Sequence, residues 1–108
     1  MPPKQTAIPP HSMDELPKDD PLLRGPYTKG VRVTEWTKGQ PRRRANRYIV
    51  RLKVKGGLEC CREDPRGNLK ALSDSKAVEL RHKYEHELVR YFPETKPEIK
   101  QVPSRSSH

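Results

Sequence analysis

Long apolar runs are missing from this sequence: the longest stretch of aliphatic or aromatic side chains is the three residues Tyr48-Ile49-Val50. A bilayer-spanning helix needs about 20 apolar residues and a secretory signal about 7–15, so neither is expected. Arginine is absent before Arg24, and Asp14, Glu15, Asp19 and Asp20 interrupt the N-terminal stretch, a pattern unlike a mitochondrial presequence. A nuclear or cytoplasmic protein is therefore expected. Cysteine is confined to the adjacent Cys60 and Cys61, which excludes a framework of long-range disulfides within one chain and implies reduced thiols. Only 31% of the 108 residues are hydrophobic, which leaves material for one small core at most.

Proline and positive charge are abundant instead. Pro2, Pro3, Pro9, Pro10, Pro17, Pro21 and Pro26 fall in residues 1–26, whose few apolar side chains follow no helical or strand period. That segment reads as an extended arm, and 94–108, with Pro97, Pro103 and a serine-rich end, reads as a matching tail. The folded domain is expected over 27–93. The net charge of +9 is uneven: residues 41–55 alone carry seven cations and no acid.

Within 27–93, Val31–Thr37 is rich in β-branched and aromatic residues and predicts a first strand. Residues 46–55 predict a second, with Tyr48, Val50, Leu52 and Val54 on one face and Arg47, Ile49, Arg51, Lys53 and Lys55 on the other. Gly56-Gly57 suits a two-residue hairpin turn, and Leu58–Arg62 completes a third strand. From Asp74 the period becomes helical: Ala77, Leu80, Tyr84, Leu88 and Tyr91 form a stripe, and Pro93 should end the helix near Phe92. The expected fold is α+β: a three-stranded antiparallel sheet packed on one C-terminal helix (βββα), flanked by disordered or extended N- and C-terminal tails. One sheet face then lies under the helix and the cationic face looks outward.

A contiguous single-sign surface suits a polyanion, because Lys and Arg that neutralise phosphates release condensed counterions. The candidate nucleic-acid-binding residues are Arg32, Arg47, Arg51, Lys53 and Lys55 on the sheet, with Arg42, Arg43 and Arg44 as a basic arm. Edge strands also carry Lys and Arg simply to deter aggregation, but seven cations in fourteen residues exceed that need. Tyr27 and Trp36 suit base stacking or core packing. His82-Lys83-Tyr84-Glu85-His86 matches H-x-x-E-H, the spacing of two zinc ligands and a general base on one helix. A third ligand and a large scaffold are wanting, so His82 and His86 are weak metal candidates, and no cofactor is expected. No phosphate-cradling loop or nucleophile elbow occurs, which favours a non-enzymatic protein.

The strand-strand-strand-helix order, with Tyr27-Thr28-Lys29-Gly30-Val31-Arg32, resembles the DNA-binding domains of plant ethylene-response factors, which open on Tyr-Arg-Gly-Val-Arg, and the arm-binding domains of tyrosine recombinases. The long basic loop departs from that pattern. The resemblance implies a sheet laid in a major groove. The expected function is binding of DNA or RNA. The alternative is a small basic structural subunit of a large assembly, a microtubule lattice or a ribonucleoprotein particle, held through proline-rich arms that order on a partner.

Overall fold

The computed structural model describes residues 11–36 and 45–100. Five strands run in chain order across one antiparallel sheet: β1 His11–Glu15, β2 Tyr27–Glu35, β3 Asn46–Lys53, β4 Leu58–Glu63 and β5 Leu69–Ala71. Helices α1 Asp74–Lys83, α2 Glu85–Tyr91 and α3 Lys96–Lys100 follow, with short 3-10 turns at Pro21–Leu23 and Pro93–Thr95. The α+β class stands, but the three-stranded sheet on a single C-terminal helix does not.

Each added element has a physical cause. The segment His11–Glu15 offers one apolar side chain, Met13, so patterning does not make it a strand. It pairs with the edge of β2, Met13 opposite Val33, and so satisfies a row of backbone groups that would otherwise stand open. The expected single helix divides at Tyr84, whose φ of −109° and ψ of 21° leave the helical region. Its hydroxyl is held there by Glu35 of β2. Pro93, expected as a terminator, instead opens a new turn, for which proline at the first position is well suited. The chain continues into α3, where Ile99 is fully buried.

The β3–β4 turn also differs from a two-residue loop. Gly56 N–H bonds Lys53 C=O and Lys53 N–H bonds Gly57 C=O, so Val54, Lys55 and Gly56 form a three-residue loop, with Gly56 at φ +94°. The same pattern recurs between β4 and β5: Gly67 N–H to Asp64 C=O and Asp64 N–H to Asn68 C=O, with Gly67 at φ +88°. Val54, expected in the core, sits in its turn and is 64% exposed.

The main core lies between one sheet face and the helices. Val31, Val33, Tyr48, Val50, Leu52, Leu58 and Cys60 meet Leu80, Tyr84, Leu88, Phe92 and Ile99 there. This is the predicted face of β3 and the predicted helix stripe, shifted at its end from Tyr91 to Phe92. A second, smaller cluster of Leu16, Leu23 and Ile49 lies on the opposite face. It forms because residues 16–26 fold back across the sheet: Leu16 N–H bonds Gly30 C=O, and Val54 N–H bonds Pro26 C=O. Gly30 makes the close approach possible, since a Cβ there would meet Val50 O at 2.9 Å and Leu16 Cδ1 at 3.1 Å.

Candidate polyanion interface

Arg32, Ile49 and Cys61 are cross-strand neighbours on the sheet face away from the helices, as are Arg51 and Glu59, and Arg47 and Glu63. On this face the expected cations meet acids from β4. Arg51 is 8% exposed, beneath the 16–26 strap. Its guanidinium donates to Glu59 Oε1 at 2.6 Å and to Leu22 C=O at 2.8 Å, and it lies 3.8 Å from the centre of the Tyr27 ring. Tyr27 in turn donates its hydroxyl to Glu59 at 2.6 Å. Burial opposes ionisation of Glu59, but the hydrogen bond from Tyr27 and the charge of Arg51 outweigh it and hold the carboxyl below its usual range. Only Arg51 Nε in this knot lacks a partner. Arg51 is thus a buried structural cation, sealed away from an outside ligand.

Arg32 is committed too. It makes a two-point contact with Glu63, at 2.9 and 3.2 Å, and that hydrogen bonding raises its pKa. The contact spans β3, so Glu63 serves Arg32 and leaves its directly opposite neighbour Arg47 with no ion pair among the described residues. Lys53 and Lys55 are exposed at the other end of β3, in and beside the first hairpin turn. Arg42, Arg43 and Arg44 lie outside the described residues.

Cations with no ion pair among the described residues gather where β4 turns into β5. Arg62 and Lys70 stand directly opposite each other, both exposed, on the helix side of the sheet, in one row with Tyr48. No acid lies between them, and like charges so placed repel. Lys76 of α1, which pairs with Glu79 at 3.8 Å, sits 5.8 Å from the centre of the Tyr48 ring. Arg66 is exposed at the tip of the 64–68 turn, which Asp64 stiffens by accepting the backbone N–H groups of Arg66 and Asn68 at 3.0 and 2.8 Å. Those backbone bonds, Asn68 first, hold the Asp64 carboxyl below its usual range. Arg47 borders a small recess against this turn, with Asp64, Pro65 and Gly67. Glu35 and Asn46, where the chain leaves β2 and enters β3, are paired at this same end of the sheet. The connection bearing Arg42–Arg44 therefore begins and ends here.

The patch holds Arg47 from the expected set and adds Arg62, Arg66 and Lys70, which sequence reasoning passed over. Residues 56–75 sum to −1, and that sum hides them. The signal was present in the alternation of Arg62 with Glu63, but it needed the strand register to resolve.

The histidine pair has no comparable setting. His82 and His86 fall in different helices on either side of Tyr84, both exposed, and His82 lies 3.4 Å from Glu85. No group of three or more possible metal ligands occurs among the described residues. Cys60 and Cys61 are buried, and burial raises both thiols, Cys60 to about 11. Trp36, half-buried, directly follows β2. Compared with protein-family models, with curated proteins and with solved structures, the chain finds no match.

Proposed function

We propose that the protein binds nucleic acid, without catalysing a reaction on it, through the end of the sheet that presents Arg47, Arg62, Arg66 and Lys70 and to which the Arg42–Arg44 connection is joined. The observation that carries this reading is the opposition of Arg62 and Lys70. A directly opposed cation pair costs stability in the free protein, and a phosphate bridging the two removes the repulsion. By contrast, Lys29, Arg32, Arg51 and Lys83 each have an acid within 3.2 Å and hold the fold together. Arg47, Arg62, Arg66 and Lys70 have no ion pair among the described residues and lie at one end of the sheet.

The test is titration of duplex DNA and of an RNA hairpin over a salt series. Each phosphate contact on duplex DNA contributes about −0.9 to the log–log slope, so four contacts give roughly −3.6. Neutralising Arg62 and Lys70 to Gln removes about two contacts and flattens the slope by roughly 1.8. Equal slopes for wild type and the double variant would sink the assignment of the patch. Absence of binding to either polymer at 50 mM salt, with saturable binding to microtubules or ribosomes, would favour the structural-subunit reading instead.

A further inference from the structure

On the sheet face away from the helices, a recess of about 200 Å³ opens between the start of β3 and the 64–68 turn, lined by Arg32, Arg47, Glu63, Asp64, Pro65 and Gly67. Its charged groups are not equivalent. Glu63 and Arg32 close on each other at 2.9 and 3.2 Å and so form a wall. Arg47 and Asp64 line the same recess, yet no ion pair joins them or engages either one among the described residues.

The turn explains why they stay apart. Asp64 Oδ1 accepts the backbone N–H groups of Arg66 and Asn68 at 3.0 and 2.8 Å, which ties the carboxylate to its own loop while its second oxygen keeps acceptor capacity. Gly67, at φ +88°, lets the loop close in this form. Arg47 is set on β3 opposite Glu63, whose carboxylate Arg32 already holds, so its guanidinium keeps its donors. An acceptor and a set of donors thus share one gap without neutralising each other. At about 200 Å³ that gap is smaller than the roughly 300–1,000 Å³ of sites for drug-sized ligands and suits a single planar ring system. Pro65, exposed in the wall, offers the ring an apolar face to lie against.

Among the nucleobases guanine matches this pair of groups. Its O6 and N7 accept side by side from an arginine, and its N1–H and N2–H donate side by side to a carboxylate. Adenine and cytosine present a single amino group beside a ring acceptor that a carboxylate repels, and uracil presents one N–H between two carbonyls. In a base pair the N1–H and N2–H of guanine are taken by cytosine, so the base must be unpaired. We infer that the recess receives an unpaired guanine of a single strand or loop, with Arg47 on O6 and N7 and Asp64 on N1–H and N2–H. This inference rests on the nucleic-acid reading and names the substrate class of that end of the sheet. Arg66, exposed at the tip of the same turn, is left for the flanking phosphates.

The probe is a fluorescein-labelled strand of seven uridines, compared by anisotropy with strands carrying guanine, inosine or adenine at the fourth position, all at one salt concentration. Guanine should bind about tenfold more tightly than uracil or adenine, the share of one good two-point base contact. Inosine, which lacks the N2 amino group, should fall between, and annealing a complementary strand should remove the preference. Asp64→Asn keeps an oxygen for the two backbone N–H groups and turns the second oxygen into a donor, so it should retain the wild-type melting temperature and bring the guanine-to-uracil ratio to about one. Arg47→Ala should lower the same ratio, whereas an arginine that touches only phosphate would weaken every strand equally. Equal affinity for all four strands, or a guanine preference that survives Asp64→Asn or pairing, would overturn the recess and leave nucleic-acid binding standing. Displacement of the strand by micromolar guanosine monophosphate would overturn the polymer as the ligand. Failure to bind any strand or duplex at low salt would overturn both readings.

Discussion

Arginine residues three or four positions apart in this chain do opposite work. Arg51 is enclosed by Glu59, Leu22 and Tyr27, whereas Arg47 has no ion pair among the described residues. Replacing Arg51 by Met should cost about 2 kcal/mol, less than for a fully buried pair because Glu59 remains 38% exposed and can be solvated. Arg47→Ala should stay within about 0.5 kcal/mol of wild type. Urea unfolding of both variants checks the contrast, and equal costs would refute it. Acid should act through Glu35 and Glu59. Burial opposes the charge on Glu35, but hydrogen bonds from Tyr84 and Lys83 outweigh it, so both carboxyls lie below their ordinary range. A carboxyl depressed by folding stabilises the native state above its unfolded pKa, roughly 4.3, and that contribution fades as pH falls through the depressed folded value. The melting temperature should therefore drop below about pH 4.5. Glu35→Gln should be less stable at pH 7 and show a shallower acid decline.

At the scale of elements, β1 and α3 were the least legible in the sequence, for one shared reason. Neither carries a pattern of its own long enough to register: β1 has Met13 alone, and α3 is five residues with Ile99. Both exist because a neighbour needs covering. β1 completes the edge of β2, and its His11 Nε2 lies 2.7 Å from Glu87 on α2. α3 closes the core with Ile99 and caps β4 through Glu98. Ile99→Ala should accordingly cost about 2–4 kcal/mol, the usual loss for a buried aliphatic truncation. A chain whose fold ended at Pro93 would lose almost nothing, and chemical denaturation distinguishes the two. By contrast, β3 and the helical stripe were legible because strict alternation and 3.6-residue spacing each run for several periods.

Across the whole molecule, net charge says less than its pairing. Among the described residues five cations are in ion pairs, with Glu94, Glu63, Glu59, Glu79 and Glu35, whereas Arg47, Arg62, Arg66 and Lys70 at the β4–β5 end are in none, as are Lys53 and Lys55 at the other end of β3. If the β4–β5 end grips a polyanion, Arg62→Gln with Lys70→Gln should weaken binding steeply at low salt while slightly raising or preserving the melting temperature. Removing the opposed cations relieves repulsion in the free state. A loss of both binding and folding would instead mark these residues as structural.

Alternation along β3, the helical period after Asp74 and the run of arginines before Asn46 are properties of neighbouring residues, and the sequence by itself determined them. It therefore determined the α+β class, the face of β3 that enters the core and the presence of excess positive charge. Which cations remain available was decided only by the tertiary structure. Glu59 and Glu63 meet Arg51 and Arg32 through strand register, and the strap of residues 16–26 closes over Arg51 from nearly thirty positions away. Charge neutralisation acts across space at a few ångströms, so a count along the chain records how many charges there are and never which of them are already matched.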